Sequence, residues 1–263
     1  MHILLTNDDG INAPGLAAIY TELIKLGDVK VVAPAASRSG MSHSITFNRP
    51  LVCEKIDVRG QFTGYSIEGS PADCVKLAVM QFCEHPIDLL VAGINNGANA
   101  GINIYYSGTV AAAMEGALLG IPSVAMSLAA EDNMDYTSAA GYCMRIVNEL
   151  MPMKPGVVVN INIPLLSQGK PRGIKVVGQS NMAFDEYYLP ETDEKGRTVY
   201  QLAGGPSPFD DPSTDMVALI EGFISVTALA PDITEYKKTR QIQKALKKLS
   251  AKVTAEGSND KRI

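Results

Sequence analysis

Short apolar runs and stretches of helical period take turns along most of this chain. Residues 2–6 read as a buried strand, 13–26 as a helix led in by Pro14, and 29–33 as a second strand that stops at Pro34. The rhythm continues through apolar runs at 89–92, 123–126 and 157–161, interleaved with helical stretches at 71–82, 108–119 and 137–150. Strands that are apolar at nearly every position are covered on both faces. Their alternation with helices predicts an α/β fold, an open and mainly parallel sheet with helices on both faces, joined by right-handed crossovers.

From about Gly173 the pattern shifts to strand-like pieces at 174–177, 187–189 and 198–202, divided by turns such as Gly204-Gly205-Pro206 and Asp210-Asp211-Pro212. This predicts an antiparallel extension rather than a second core. A strand at 223–229 precedes a charged helix at about 235–249, and 254–263 reads as a loose tail. The expected organisation is one domain over 1–263: core about 1–172, β extension about 173–222, C-terminal strand and helix about 223–253, then the tail.

With 263 residues, 46% of them hydrophobic, the chain can bury a sizeable core. Its 28 carboxylates outnumber 23 Lys and Arg, and no basic run stands out as a nucleic-acid footprint, so neither DNA nor a membrane surface is an expected partner. An acidic protein that handles an anion needs local positive potential from a metal, helix N-termini or a few cations. Cys53, Cys74, Cys83 and Cys143 form no C-x-x-C pair, which predicts reduced thiols, no zinc and a cytoplasmic location. The first apolar stretch is too short for the core of a signal peptide. The uncharged stretch between Asp88 and Glu115 is interrupted by Asn95, Asn96, Asn99 and Asn103, which argues against a membrane span.

In open parallel sheets, ligands bind beyond the carboxyl ends of the strands. Three such places carry candidate chemistry. Asn7-Asp8-Asp9-Gly10 follows the first strand; its adjacent carboxylates repel each other unless a cation or solvent intervenes, and Gly10 permits the turn that lets both reach one ion. Equally, one aspartate can cap the next helix while the other is solvated. Ser37-Arg38-Ser39-Gly40-Met41-Ser42-His43-Ser44 follows the second strand and is rich in hydroxyls. Gly93-Ile94-Asn95-Asn96-Gly97-Ala98-Asn99-Ala100-Gly101 leads to Ser107-Gly108-Thr109 at a helix start, where amides and free N–H groups can hold phosphate oxygens. Dinucleotide, P-loop, nucleophile-elbow and zinc-helix motifs are all missing. A hard, oxygen-ligated ion such as Mg²⁺ or Mn²⁺ suits this combination.

These motifs resemble those of the SurE family of survival proteins, which act as 5′-nucleotidases. The resemblance rests on Leu4-Leu5-Thr6-Asn7-Asp8-Asp9-Gly10 with Ala13-Pro14-Gly15, Ser39-Gly40 with Ser44-Ile45-Thr46, Gly69-Ser70-Pro71-Ala72-Asp73, and Gly93-Ile94-Asn95 through Ser107-Gly108-Thr109 to Glu115-Gly116. It continues weakly through 222–229 and is poorest over about 180–212. Residue 70 is Ser where the family commonly has Thr, and residue 228 is Ala where it commonly has Pro. The resemblance implies a Rossmann-like core, hydrolysis of nucleoside monophosphates, assembly into homodimers or homotetramers through C-terminal elements, and one divalent ion per subunit held by Asp8, Asp9, Ser39 and Asn95. It also implies activity on 3′-nucleotides or short polyphosphate in some members. Ser107, Gly108 and Thr109 match its phosphate-side segment. Read from the loops themselves rather than from the resemblance, Asn99 is a further candidate substrate contact and His43 a candidate proton donor to the leaving alcohol. An aspartyl-phosphate mechanism and a non-hydrolytic nucleotide-binding regulator are the alternatives.

Overall fold

The computed structural model describes residues 1–181, 185–205 and 211–259. Two compact units divide it, Met1–Pro231 and Asp232–Ile263. In chain order the first unit contains β1 (His2–Thr6), α1 (Pro14–Leu23), β2 (Asp28–Pro34), β3 (Cys53–Val58), β4 (Phe62–Ile67), α2 (Pro71–Leu77), β5 (Leu89–Asn96), α3 (Gly108–Leu118), β6 (Ser123–Leu128), α4 (Tyr136–Leu150) and β7 (Val158–Ile163). It continues through β8 (Ile174–Val176), β9 (Asp185–Thr192), β10 (Thr198–Gly205), α5 (Asp215–Ile220) and β11 (Ile224–Leu229).

The main sheet runs β3-β4-β2-β1-β5-β6-β7-β11-β8. Strands β4, β2, β1, β5, β6 and β7 are parallel. Their order reverses at β1, which pairs with β2 on one side and β5 on the other, so a crevice opens between the ends of β1 and β5. Side chains alternate between the two faces, as strand geometry requires. Ile3 and Leu5 of β1 join α1 and α4 in one core, while Leu4 joins α2 and α3 in the other. Helices therefore cover both faces, as the apolar strand runs predict.

The structure adds elements that the hydrophobic pattern hides. The β3–β4 hairpin pairs Cys53–Val58 with Phe62–Ile67 around Arg59 and Gly60, both at positive φ. Its outer strand carries exposed Glu54, Lys55 and Asp57, charges that blunt a sheet edge and also mask the strand in the sequence. Strands β8 and β11 belong to the main sheet, β11 lying antiparallel to β7, so the 173–222 extension and the C-terminal strand do not stand apart from the core. Among these residues only β9 and β10 form a separate two-stranded sheet. Short α5 also went unpredicted. In the second unit, α6 runs Tyr236–Asn259, beyond the predicted end at 249 and into the predicted loose tail; Ala251, Lys252, Ala255 and Glu256 are good helix formers and no proline intervenes. Residues 206–210 and 260–263, parts of the predicted turns and tail, lie outside the described residues. Lys237, Lys238, Arg240, Lys244, Lys247, Lys248 and Lys252 all fall in α6, so the positive charge is more concentrated than the bulk balance implies.

The four cysteines are free thiols. No helix among the described residues is long and apolar enough to cross a membrane.

Close backbone approach shapes the crevice. β5 shifts register against β6 between Ala92 and Asn95 and then resumes pairing, Asn95 with Ser127 and Asn96 with Leu128. A Cβ on Gly93 would lie 2.3 Å from the Met126 carbonyl oxygen, and one on Gly15 would lie 2.0 Å from the Ile94 carbonyl oxygen. Glycine at both positions lets α1 and β6 clamp the bulged segment that carries Asn95. Gly15→Ala should therefore destabilise the protein by about 1–3 kcal/mol. Gly141→Ala, in α4 where a Cβ meets nothing within 4 Å, should stabilise it by about 1 kcal/mol. Urea denaturation followed by circular dichroism checks both signs.

Candidate metal centre and phosphate cradle

Asp8 and Asp9 sit where β1 ends. Asn7 shapes the turn by donating its side-chain Nδ2 to the Gly10 carbonyl at 2.9 Å, and Gly10 takes φ 100°. Asp8 is only 3% exposed and accepts a short hydrogen bond from the Thr109 hydroxyl. Burial pushes its carboxyl above the usual range; the Thr109 bond opposes that rise and the charge of Asp9 adds to it. Burial also raises Asp9, against a 3.0 Å hydrogen bond that its Oδ2 accepts from the Asn96 N–H. Among the described residues neither carboxylate has a Lys, Arg or His within ion-pair distance. The pair is thus held together in a poorly solvated place with its charge uncompensated by side chains.

The other sequence-predicted ligands come from neighbouring strand ends. Asn95 is nearly buried, and its Nδ2 donates to the Gly97 carbonyl at 2.7 Å, which commits the nitrogen and leaves the amide oxygen as the end able to ligate a cation. The Ser39 segment is brought alongside β1 by a 2.7 Å bond from the Arg38 N–H to the Asp8 carbonyl. Ser39 itself is exposed, with its Oγ 3.1 Å from that of Ser37.

α3 starts against Asp8. Ser107 caps it by accepting the Val110 N–H at 3.0 Å. A Cβ on Gly108 would sit 2.7 Å from the Asp8 Cβ and 3.0 Å from Cγ of Pro71, so a residue without a side chain is what lets the helix start close on both. Thr109 is fully buried with its hydroxyl directed to Asp8, which makes it an orienting partner of that carboxylate.

Two predicted residues have other attachments. Asn99 is a buried staple: its N–H donates to Asn162 Oδ1 at 2.7 Å, its side chain donates to Ser127 at 2.9 Å, and its carbonyl accepts from Asn160 and Asn162. His43 Nε2 lies 2.9 Å from Oε2 of Glu115, whose other oxygen accepts from Lys76 at 2.8 Å. The His43 bond, with Lys76 beside it, holds the carboxyl of Glu115 below its usual range despite burial. Glu115 stands seven residues past Gly108, about 10 Å along the helix, so this contact ties His43 to a point well away from the aspartates.

Sequence reasoning missed several supports. Asp73 and Ser70 form a capping box at the start of α2, a signal present in the Ser-x-x-Asp spacing, and the Ser70 hydroxyl does this work where the family commonly has Thr. Burial pushes Asp73 up, but bonds from Ser70 and from both the N–H and hydroxyl of Thr46 bring it below its usual range. Tyr136, at the start of α4, faces Asp9 closely enough that burial and that charge together push its phenol up to about 12. No local motif marks it.

A family model described as "Survival protein SurE" matches residues 3–186. A protein named 5′-nucleotidase SurE from Syntrophus aciditrophicus is 45% identical over 240 residues, covering 90% of each chain. A second of that name, from Desulfitobacterium hafniense, is 43% identical over 248 residues, 94% of this chain and 97% of the other. The crystal structure of the SurE protein from Aquifex aeolicus superposes with a TM-score of 0.81 at 38% identity, covering 93% of this chain and 99% of that one. Together with the carboxylate pair at the β1–β5 crevice, these matches establish that the chain belongs to the SurE family.

Proposed function

We propose that the protein is a metal-dependent 5′-nucleotidase that hydrolyses nucleoside 5′-monophosphates to nucleoside and phosphate. The observation that carries the reading is the Asp8-Asp9 pair, Asp8 buried and Asp9 half-buried, with no cationic side-chain partner among the described residues, beside the first turn of α3. The donor set fits a hard divalent ion: two carboxylates, the Asn95 amide oxygen and the Ser39 hydroxyl, all oxygen. These four residues would hold one Mg²⁺ or Mn²⁺ per subunit, which when bound would supply Lewis-acid polarisation of the phosphoryl group and lower the pKa of a water.

The chain's own groups then do the following. The hydroxyl of Ser107 and the N–H of Gly108 receive phosphate oxygens, aided by the positive end of the helix, whose next N–H groups are taken up by Asp8 and the Ser107 cap. Thr109 fixes the rotamer of Asp8. Asp9, less buried than Asp8, takes a proton from the attacking water as the water's oxygen bonds to phosphorus, and that proton returns through solvent to the nucleoside 5′-oxygen as the ester P–O bond breaks. His43, joined to Glu115, positions the loop that carries Ser39, and Asn99 positions the 95–101 segment. The relatives' names support the 5′-nucleotide class. Activity on 3′-nucleotides or short polyphosphate is the wider range to test. Reduced thiols support a cytoplasmic setting. Exposed Tyr188, Tyr200 and Leu202 on one face of the β9–β10 hairpin support a homodimer or homotetramer, which solution mass determines.

Asp8→Asn and Asp9→Asn should each lower Mn²⁺- or Mg²⁺-dependent phosphate release from AMP by at least about 10³-fold, whereas His43→Gln should lower it less than about 10-fold. Near-normal turnover in either aspartate variant overturns the metal-site assignment.

Stability supplies an independent readout. The folded-state pKa of Asp8 lies above its unfolded value, so its contribution is fully present below about pH 3.9 and is lost as pH rises through the folded pKa. In chelator at pH 7, Asp8→Asn should therefore melt a few degrees higher than the unsubstituted protein, with the gap closing at acid pH. Adding Mn²⁺ should raise the melting temperature of the unsubstituted protein and leave that of the variant unmoved.

A further inference from the structure

The rim beside the phosphate cradle carries side chains that the hydrolytic chemistry leaves unused. Tyr105 and Tyr106 end the short helical turn directly before Ser107, yet they are 60% and 56% exposed, while Ile104 just before them is buried. Among the described residues neither ring stacks on another aromatic and neither hydroxyl has a hydrogen-bond partner. Their backbone, by contrast, is pinned. The Ser42 hydroxyl donates to the Tyr105 carbonyl at 2.7 Å, the Ser42 N–H donates to the Tyr106 carbonyl at 3.1 Å, and the Tyr106 N–H donates back to Asn103 at 3.1 Å. The same stitching brings exposed Met41 to this rim.

Exposed aromatic rings on fixed backbone, one and two residues from a phosphate-binding helix start, are placed for the part of the substrate that projects from the phosphate. Consecutive Cα atoms are about 3.8 Å apart, so a ring at either position lies within the span of one nucleotide from the cradle. A nucleobase presents a flat, weakly polar face, and stacking on tyrosine with a methionine edge nearby suits it. A fixed backbone also lessens the ordering cost of binding.

We propose that Tyr105 and Tyr106, with Met41 at their edge, form the platform on which the substrate's base stacks. The proposal rests on the nucleotidase reading and deepens it. Every base has a π-face, so the platform selects for the presence of a base and tolerates purine and pyrimidine alike.

The test compares kcat/KM for AMP, CMP and ribose 5-phosphate in the unsubstituted protein, in Tyr105→Ala/Tyr106→Ala and in Tyr105→Phe/Tyr106→Phe. The unsubstituted protein should favour both nucleotides over ribose 5-phosphate by about 5- to 100-fold. The alanine pair should lose that preference, with the loss falling mainly in KM, and the phenylalanine pair should keep it. Equal turnover of AMP and ribose 5-phosphate by the unsubstituted protein overturns the proposal, as does a preference that survives the alanine pair. A change of solution mass in the alanine pair, with selectivity intact, assigns the rings instead to contacts between copies. If no substrate releases phosphate, the hydrolytic reading fails by itself. Equilibrium dialysis of AMP against ribose 5-phosphate then decides the platform by the same preference in binding.

Discussion

Burying the Asp8 carboxylate at the first turn of α3 is the constraint around which the rest of the site is arranged. A carboxylate withdrawn from water needs donors close at hand, and here the donor is a threonine hydroxyl that is itself fully buried. That contact requires α3 to begin within touching distance of β1, which a side chain at position 108 would prevent. Pro71 packs on the other side of the same glycine, so α2 enters the arrangement too. One ionisable group thereby dictates how β1 and two helix starts meet. The topology supplies the location, because the strand order reverses beside β1 and leaves room at its end.

Around that point polar contacts join the loops that follow the strands. Asn99, Asn160, Asn162 and Ser127 hold the segment after β5 from below, while Ser42, Ser44 and Thr46 tie the loop after β2 to the segments that open α3 and α2. Paired members of such networks stiffen the segments they join, while Asn160 Oδ1 and Ser44 Oγ are buried members without a partner among the described residues. The His43–Glu115–Lys76 cluster extends the tie along α3. Stiffness of this kind places polar groups before any ligand arrives.

Much of this was legible in the sequence, for physical reasons that differ by element. β1, β5 and β6 are apolar on both faces and could hardly be anything but central strands. The gathering of Asp8, Asp9, Asn95 and Ser107 was legible because loops that follow parallel strands meet at one edge of the sheet. The β3–β4 hairpin was not, because a half-exposed edge strand such as Cys53–Val58 alternates with charges and resembles a loop. Nor was the fate of His43 or Asn99: composition marks a residue as capable of chemistry, but only the fold shows that Glu115 and Asn162 engage it. Thr109 lay between, since its position was evident and the direction of its hydroxyl was not. The bulk charge concealed the gathering of Lys and Arg in α6 for a simpler reason, that a sum over the chain erases separation along it.

Asp73 caps α2 with the same carboxylate that receives both the N–H and the hydroxyl of Thr46. The two attachments share one acceptor. Lifting the 42–46 segment takes two donors from the carboxylate that caps the helix, and fraying of that helix end loosens the acceptor that holds the segment. Each opening therefore lowers the cost of the other, so the two ends behave as a coupled unit. The loop bearing Ser39 is thereby linked to a helix terminus that lies apart from the aspartates.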